Sequence, residues 1–142
     1  RALMILGGSV TISDAVFEGL PGGAIEVSGG DVSVHTTSFK ENQAERGGVA
    51  AFMVQSGHVT IEKSNFEGLG LAIHSKDGTL AIVSSNFSQN FDSVYVTNGS
   101  TTIVKSNFNA SQGTALHVIG GNVVLKNETA LLVGNDQLAL NI

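Results

Sequence analysis

Gly57-His58-Val59-Thr60-Ile61-Glu62-Lys63-Ser64-Asn65-Phe66 is followed 21 residues later by Gly78-Thr79-Leu80-Ala81-Ile82-Val83-Ser84-Ser85-Asn86-Phe87. After another 21 residues comes Gly99-Ser100-Thr101-Thr102-Ile103-Val104-Lys105-Ser106-Asn107-Phe108. Each stretch opens on glycine, alternates inward-type and polar residues at the period of a strand, passes Ser-Asn and closes on phenylalanine.

Working outward, the same unit runs the length of the chain. Its first column is Val10, Val32, Val59, Leu80, Thr101 and Val123, spaced by 22, 27, 21, 21 and 22 residues. Two residues on come Ile12, Val34, Ile61, Ile82, Ile103 and Leu125; five beyond those come Phe17, Phe39, Phe66, Phe87, Phe108 and finally Ala130. A closing pair follows in each unit: Ile25/Val27, Phe52/Val54, Ile73/Ser75, Val94/Val96, Leu116/Val118 and Leu138/Leu140. Leu3 and Ile5 supply that closing strand for a preceding, truncated unit.

No single unit can bury three half-apolar strands by itself, but stacked units bury a continuous core. Like residues then pair at the ~4.8 Å strand spacing, forming ladders. The sequence therefore predicts an all-β, single-stranded parallel β-helix of about six coils, each of 21–22 residues with three short strands. Right-handed crossovers are the rule for parallel strands, and a phenylalanine column needs a wide interior, so the right-handed form is expected. Each buried Phe contributes roughly 1.5–3 kcal/mol. Ala130 interrupts the column, and the last coil is expected to pack least tightly.

Glycine recurs at the turn after each closing strand, at Gly29-Gly30, Gly57, Gly78, Gly99 and Gly120-Gly121, as a corner needing positive φ requires. Before each phenylalanine, Thr37, Ser64, Ser85 and Ser106, then Ser38, Asn65, Asn86 and Asn107, predict a polar ladder at a bend, with asparagine tolerating left-handed backbone. One spacing is anomalous. Phe39 to Ala51 is long, so residues 40–50, carrying Lys40, Glu41, Glu45 and Arg46, are expected to protrude as a candidate binding loop.

Composition narrows the function. Eighteen glycines, one proline and 13% charged residues suit strands and tight turns. Twelve acidic against seven basic residues give a net charge of -5, which disfavours a nucleic-acid partner. There is no cysteine for a disulfide or thiolate metal site. No apolar run approaches the roughly 20 residues of a membrane span. The opening Arg1-Ala2-Leu3-Met4-Ile5-Leu6 is too short for a secretory signal, so residues 1–142 read as one β-helix segment of a longer chain.

Reactive clusters are sparse. Glu18, Lys40 and Glu67 fall in one outward column, placing the carboxylates ~9.6 Å apart with a lysine between, at the wide end of the inverting-glycosidase range. An opposite-charge ladder between coils is the simpler account. Asp31 neighbours His58, and His35 neighbours Glu62, as surface pairs; His74 and His117 share a column separated by Tyr95, too far apart for one metal. Neither a catalytic residue, a metal site nor a cofactor is expected. The outward column Thr11, Ser33, Thr60, Ala81, Thr102 and Val124 is too irregular for an ice-binding array. Four Asn-x-Ser/Thr sequons, at Asn86, Asn98, Asn109 and Asn127, are glycosylation candidates, Asn98 foremost because it lies at an Asn-Gly turn.

Phe39-Lys40-Glu41-Asn42 with Gly47-Gly48-Val49-Ala50, together with Gly22-Gly23-Ala24-Ile25 and Phe87-Ser88-Gln89-Asn90, resembles the polymorphic membrane protein repeats of chlamydiae, which pair Phe-x-x-Asn with Gly-Gly-Ala-Ile. That resemblance implies a β-helical passenger of a surface adhesin. The architecture is also shared by the pectin-lyase-like superfamily, whose catalytic residues have no match here. The expectation is a non-catalytic, extracellular, structural or adhesive segment. Its partners would be flanking coils, copies of itself end to end in a filament, or a cell-surface protein or glycan. The alternative is a carbohydrate-binding or polysaccharide-processing module, with Tyr95 as its aromatic platform.

Overall fold

A computed structural model describes residues 1–40, 49–111, 113–133 and 140–141. Its strands wind in one sense round three faces. The first face carries Ser9–Ser13, Thr79–Val83, Ser100–Val104 and Asn122–Lys126. The second carries Val16–Glu18, Ser38–Lys40, Asn65–Glu67, Asn86–Ser88, Asn107–Ser111 and Ala130–Val133. The third carries Leu3–Ile5, Leu71–Ser75, Asp92–Val96, Leu116–Val118 and Leu140–Asn141. In two coils the third-face strand runs on into the next first-face strand, giving the long strands Ile25–His35 and Phe52–Glu62. They join the first and third faces into one 11-stranded sheet; the second face is a separate 6-stranded sheet, one strand per coil.

Every pairing among the described residues is parallel, and two inward columns show the stacking most plainly. Val10, Val32, Val59, Leu80, Thr101 and Val123 are successive partners. So are Phe17, Phe39, Phe66, Phe87 and Phe108. The phenylalanine rings stack with centroids 4.4–5.1 Å apart and planes within 7° of parallel. Phe39, Phe66, Phe87 and Phe108 are fully buried, and Phe52 meets Phe39 edge-on at 5.9 Å. The core is thus one hollow filled by side chains from three faces.

Two corners hold this winding together. At the third-to-first corner, Gly8, Gly30, Gly57, Gly78, Gly99 and Gly121 all have φ between 79° and 95°. The coils press together there. A Cβ on Gly57, Gly78, Gly99 or Gly121 would lie 2.5–2.7 Å from the carbonyl oxygen of the glycine one coil earlier. Only glycine satisfies both demands.

The first-to-second corner corrects the expectation about asparagine. The left-handed residue is not Asn but the one two places earlier: Thr36, Lys63, Ser84 and Lys105 have φ of 48–50°. Such backbone costs a β-branched or long side chain of order 1–3 kcal/mol, and a buried hydroxyl ladder offsets it. The hydroxyls of Thr37, Ser64, Ser85 and Ser106 each donate to the carbonyl two residues before, at 2.9–3.0 Å. Each of the three serines accepts the backbone N–H of its counterpart one coil earlier, at 3.1–3.2 Å. One hydroxyl thus satisfies two buried backbone groups. The asparagines form their own outer ladder where Asn86 Nδ2 donates to Asn65 Oδ1 at 3.0 Å.

The last coil departs from the expected register twice. Leu131, not Ala130, is the partner of Phe108, while Ala130 faces Asn107. The cause is an extra corner residue, since Asn127 and Glu128 both adopt positive φ. Thr129 then stands where serine stands below, donating to Lys126 O at 2.9 Å and Ile103 O at 3.2 Å. The partner of Leu116 is likewise Leu140 rather than Leu138, which lies outside the described residues. Leu125 is 39% exposed where Ile103 below it is fully buried.

Candidate functional site

Alternation in the strands leaves three outward surfaces whose side chains repeat at the coil spacing. On the second face Glu18, Lys40 and Glu67 are register neighbours as expected. Their charges stack without closing ion pairs: those of the described residues are Arg1–Glu26, His35–Glu62 and Lys63–Glu62. Lys40 ends its strand in an exposed position. The other loop candidates, Glu41, Glu45 and Arg46, and the protrusion they were expected to form, lie outside the described residues.

The first face bears the acid–imidazole neighbours. Asp31 is the partner of His58 and His35 of Glu62. His35 Nδ1 lies 3.3 Å from Glu62 Oε2, and Lys63 Nζ 3.8 Å from Glu62 Oε1. Both groups of the closer pair are over a third exposed, so solvent screens it. The column Thr11, Ser33, Thr60, Ala81, Thr102 and Val124 runs up the middle in strict register.

The third face carries the aromatic stack. Tyr95 sits between His74 and His117, with ring centroids 4.8 Å away on both sides and planes tilted by 51° and 66°. Thr97 Oγ1 lies 3.5 Å from His74 Nε2. Burial, and secondarily the Lys76 ammonium, pushes the His74 pKa below its usual value. Lower on this face Glu26 accepts from Gln55 Nε2 at 3.2 Å and pairs with Arg1. Tyr95, the proposed aromatic platform, is half-buried, as is Phe91 four residues before it.

One asparagine has a role that the spacing did not reveal. Asn90, the last residue of the second Phe-x-x-Asn motif, is completely buried. Its Oδ1 accepts Leu69 N–H at 3.0 Å, and its Nδ2 donates to Phe66 O at 3.1 Å and approaches Ser93 Oγ at 3.5 Å. The motif's asparagine is therefore a side-chain clamp on the backbone of the coil below. The signal was present in the column itself: Leu20 and Leu69 hold the equivalent place, so Asn90 occupies an inward position.

All four sequon asparagines, Asn86, Asn98, Asn109 and Asn127, are exposed. Among the described residues, no group of three or more His, Cys, Asp or Glu converges as a metal site would require. No helix of the described residues is long and apolar enough to cross a membrane.

Fold and surface together define a parallel β-solenoid with an interior filled by side chains and outward columns that repeat from coil to coil. The right-handed β-helix region family matches residues 2–135, and the chain belongs to that family. No curated protein and no solved structure matches it.

Proposed function

We propose that the chain is a non-catalytic structural or adhesive segment of an extracellular β-helical scaffold. The observation that carries this reading is the parallel stacking of equivalent positions from coil to coil, seen most directly in the five stacked phenylalanines. Such a ladder makes a stiff rod, and a stiff rod holds outward columns at fixed intervals for a partner to read. The pairing that joins one coil to the next would also join flanking coils, or copies of the chain end to end in a filament. A cell-surface protein or glycan is the proposed partner of the outward columns. The finer kinship with chlamydial polymorphic membrane protein repeats belongs to the same proposal and rests on Phe87 to Asn90 and Gly22 to Ile25.

The test is adhesion of immobilised chain to intact cells, with light scattering on the free chain in parallel. Retention of cells, or growth of rods with concentration, supports the reading. A monodisperse monomer that retains nothing contradicts it.

The alternative, a carbohydrate-binding or polysaccharide-processing module, is favoured by the ring stack His74–Tyr95–His117. Turnover of a uronic-acid polymer that disappears in Glu18→Gln or Glu67→Gln would establish it in place of the scaffold.

A further inference from the structure

The four sequons are unevenly placed. All begin between residues 86 and 127, and the first 85 residues hold none, so the exposed acceptor asparagines gather on the upper coils. Exposure alone does not make them equivalent. Asn86 Nδ2 is engaged with Asn65 Oδ1 at 3.0 Å in the outer ladder. Asn109 lies within the strand Asn107–Ser111, its carbonyl accepting Gln89 N–H at 3.3 Å. Asn127 holds left-handed backbone at φ 51°, and the hydroxyl of its sequon threonine, Thr129, already donates to Lys126 O and Ile103 O.

Asn98 differs on each count. It sits in the corner between the strands Asp92–Val96 and Ser100–Val104, outside both. Gly99 follows with φ 79°, which turns the chain sharply between the asparagine and the sequon serine, Ser100. The side chain is exposed and joins neither ladder. Asp77, one coil earlier, spends its carboxylate on the N–H of Gly78 at 2.9 Å, whereas Asn98 makes no such bond to Gly99.

We propose that Asn98 is an acceptor for an asparagine-linked glycan, an inference that rests on the extracellular reading above. The donor is a polyprenyl-diphosphate-linked oligosaccharide. Asn98 Nδ2 attacks the anomeric carbon, the C–N bond forms and the C–O bond to the diphosphate breaks. The diphosphate leaves with the electron pair, and one amide proton passes to a base of the transferase. A glycan at this corner projects from the edge between the third and first faces, on the coil that carries Tyr95. The glycan would mark the upper coils as the shielded end of the rod.

The experiment expresses the chain behind a secretory signal in a eukaryotic host and reads site occupancy by peptide mass spectrometry, in both medium and cell-associated pools. Expected is a glycan on Asn98, removed by a peptide amidase and lost in both Asn98→Gln and Ser100→Ala, with higher occupancy there than at Asn86. Folded chain carrying Asn98 bare, or Asn86 occupied in preference to it, overturns the proposal. Export is read separately: glycosylated chain that never leaves the cell counts against the extracellular reading while upholding the acceptor site.

Discussion

The ring of Phe66 lies against that of Phe87 with centroids 4.8 Å apart and planes 5° from parallel. Isolated aromatic pairs favour offset or edge-on contact; here the strand spacing decides, because both rings hang from backbones held at the distance of a parallel sheet. The same spacing brings glycine on glycine at one corner and hydroxyl on amide at the other. Several measurable consequences follow from those repeats.

Gly78→Ala is expected to cost about 2–4 kcal/mol, since the new Cβ meets Gly57 O at 2.5 Å on backbone already at φ 86°. Gly19→Ala shares the positive φ, at 64°, but meets nothing within 4 Å, so about 1 kcal/mol is expected. Urea midpoints of the two variants separate conformational strain from close coil approach. Equal losses would show that the coils do not press together at Gly78.

Ser85→Ala removes the acceptor of Ser64 N–H and leaves that buried amide without a partner, at about 1–3 kcal/mol. Ser85→Thr keeps the hydroxyl that Thr37 already supplies in this column and should lose much less. Amide hydrogen exchange at Ser64 reads the change locally. Unaltered protection in the alanine variant would remove the ladder from the account.

Thr101→Val should stabilise the protein by roughly 1 kcal/mol, because Thr101 Oγ1 is buried without a hydrogen-bond partner in a column otherwise built of Val and Leu. Thermal unfolding checks it. A lower midpoint would mean that the hydroxyl has a partner, such as a bound water.

His74 gives a pH signature. Its pKa is lowered in the folded state, by burial first and Lys76 second, so the unfolded chain binds the proton more readily. Stability from this group is present above the unfolded value of about 6.5 and falls as the pH drops through the window below it. Replacing His74 by Gln should flatten the slope of unfolding free energy between neutral pH and about pH 5. An unchanged slope would show that His74 titrates like a free imidazole.

Much of this was legible in the residues themselves. The period-two columns and the corner glycines had one stacking that buried them, and the structure adopts it from Val10 to Phe108. What escaped were features set by a single residue. The added corner residue at Asn127 and Glu128 makes Leu131 the strand partner of Phe108, and a spacing one longer than its neighbours does not reveal which residue bends. In the sequence Asn90 is the last letter of a Phe-x-x-Asn motif, and its inward column is what makes it a buried polar clamp. The left-handed positions fell on Thr36, Lys63, Ser84 and Lys105, since the cost of those side chains is offset by a neighbouring hydroxyl that propensity alone does not count. The outward surface was the least legible, because solvent-facing residues obey no packing rule.

The most direct test is nuclear magnetic resonance of the chain, reading scalar couplings across hydrogen bonds. The stacked coils predict couplings from Asn86 N–H to the Ser64 carbonyl and from Asn107 N–H to the Ser85 carbonyl, bonds of 2.9 and 3.0 Å. Couplings that instead join strands neighbouring in sequence as antiparallel hairpins would contradict it.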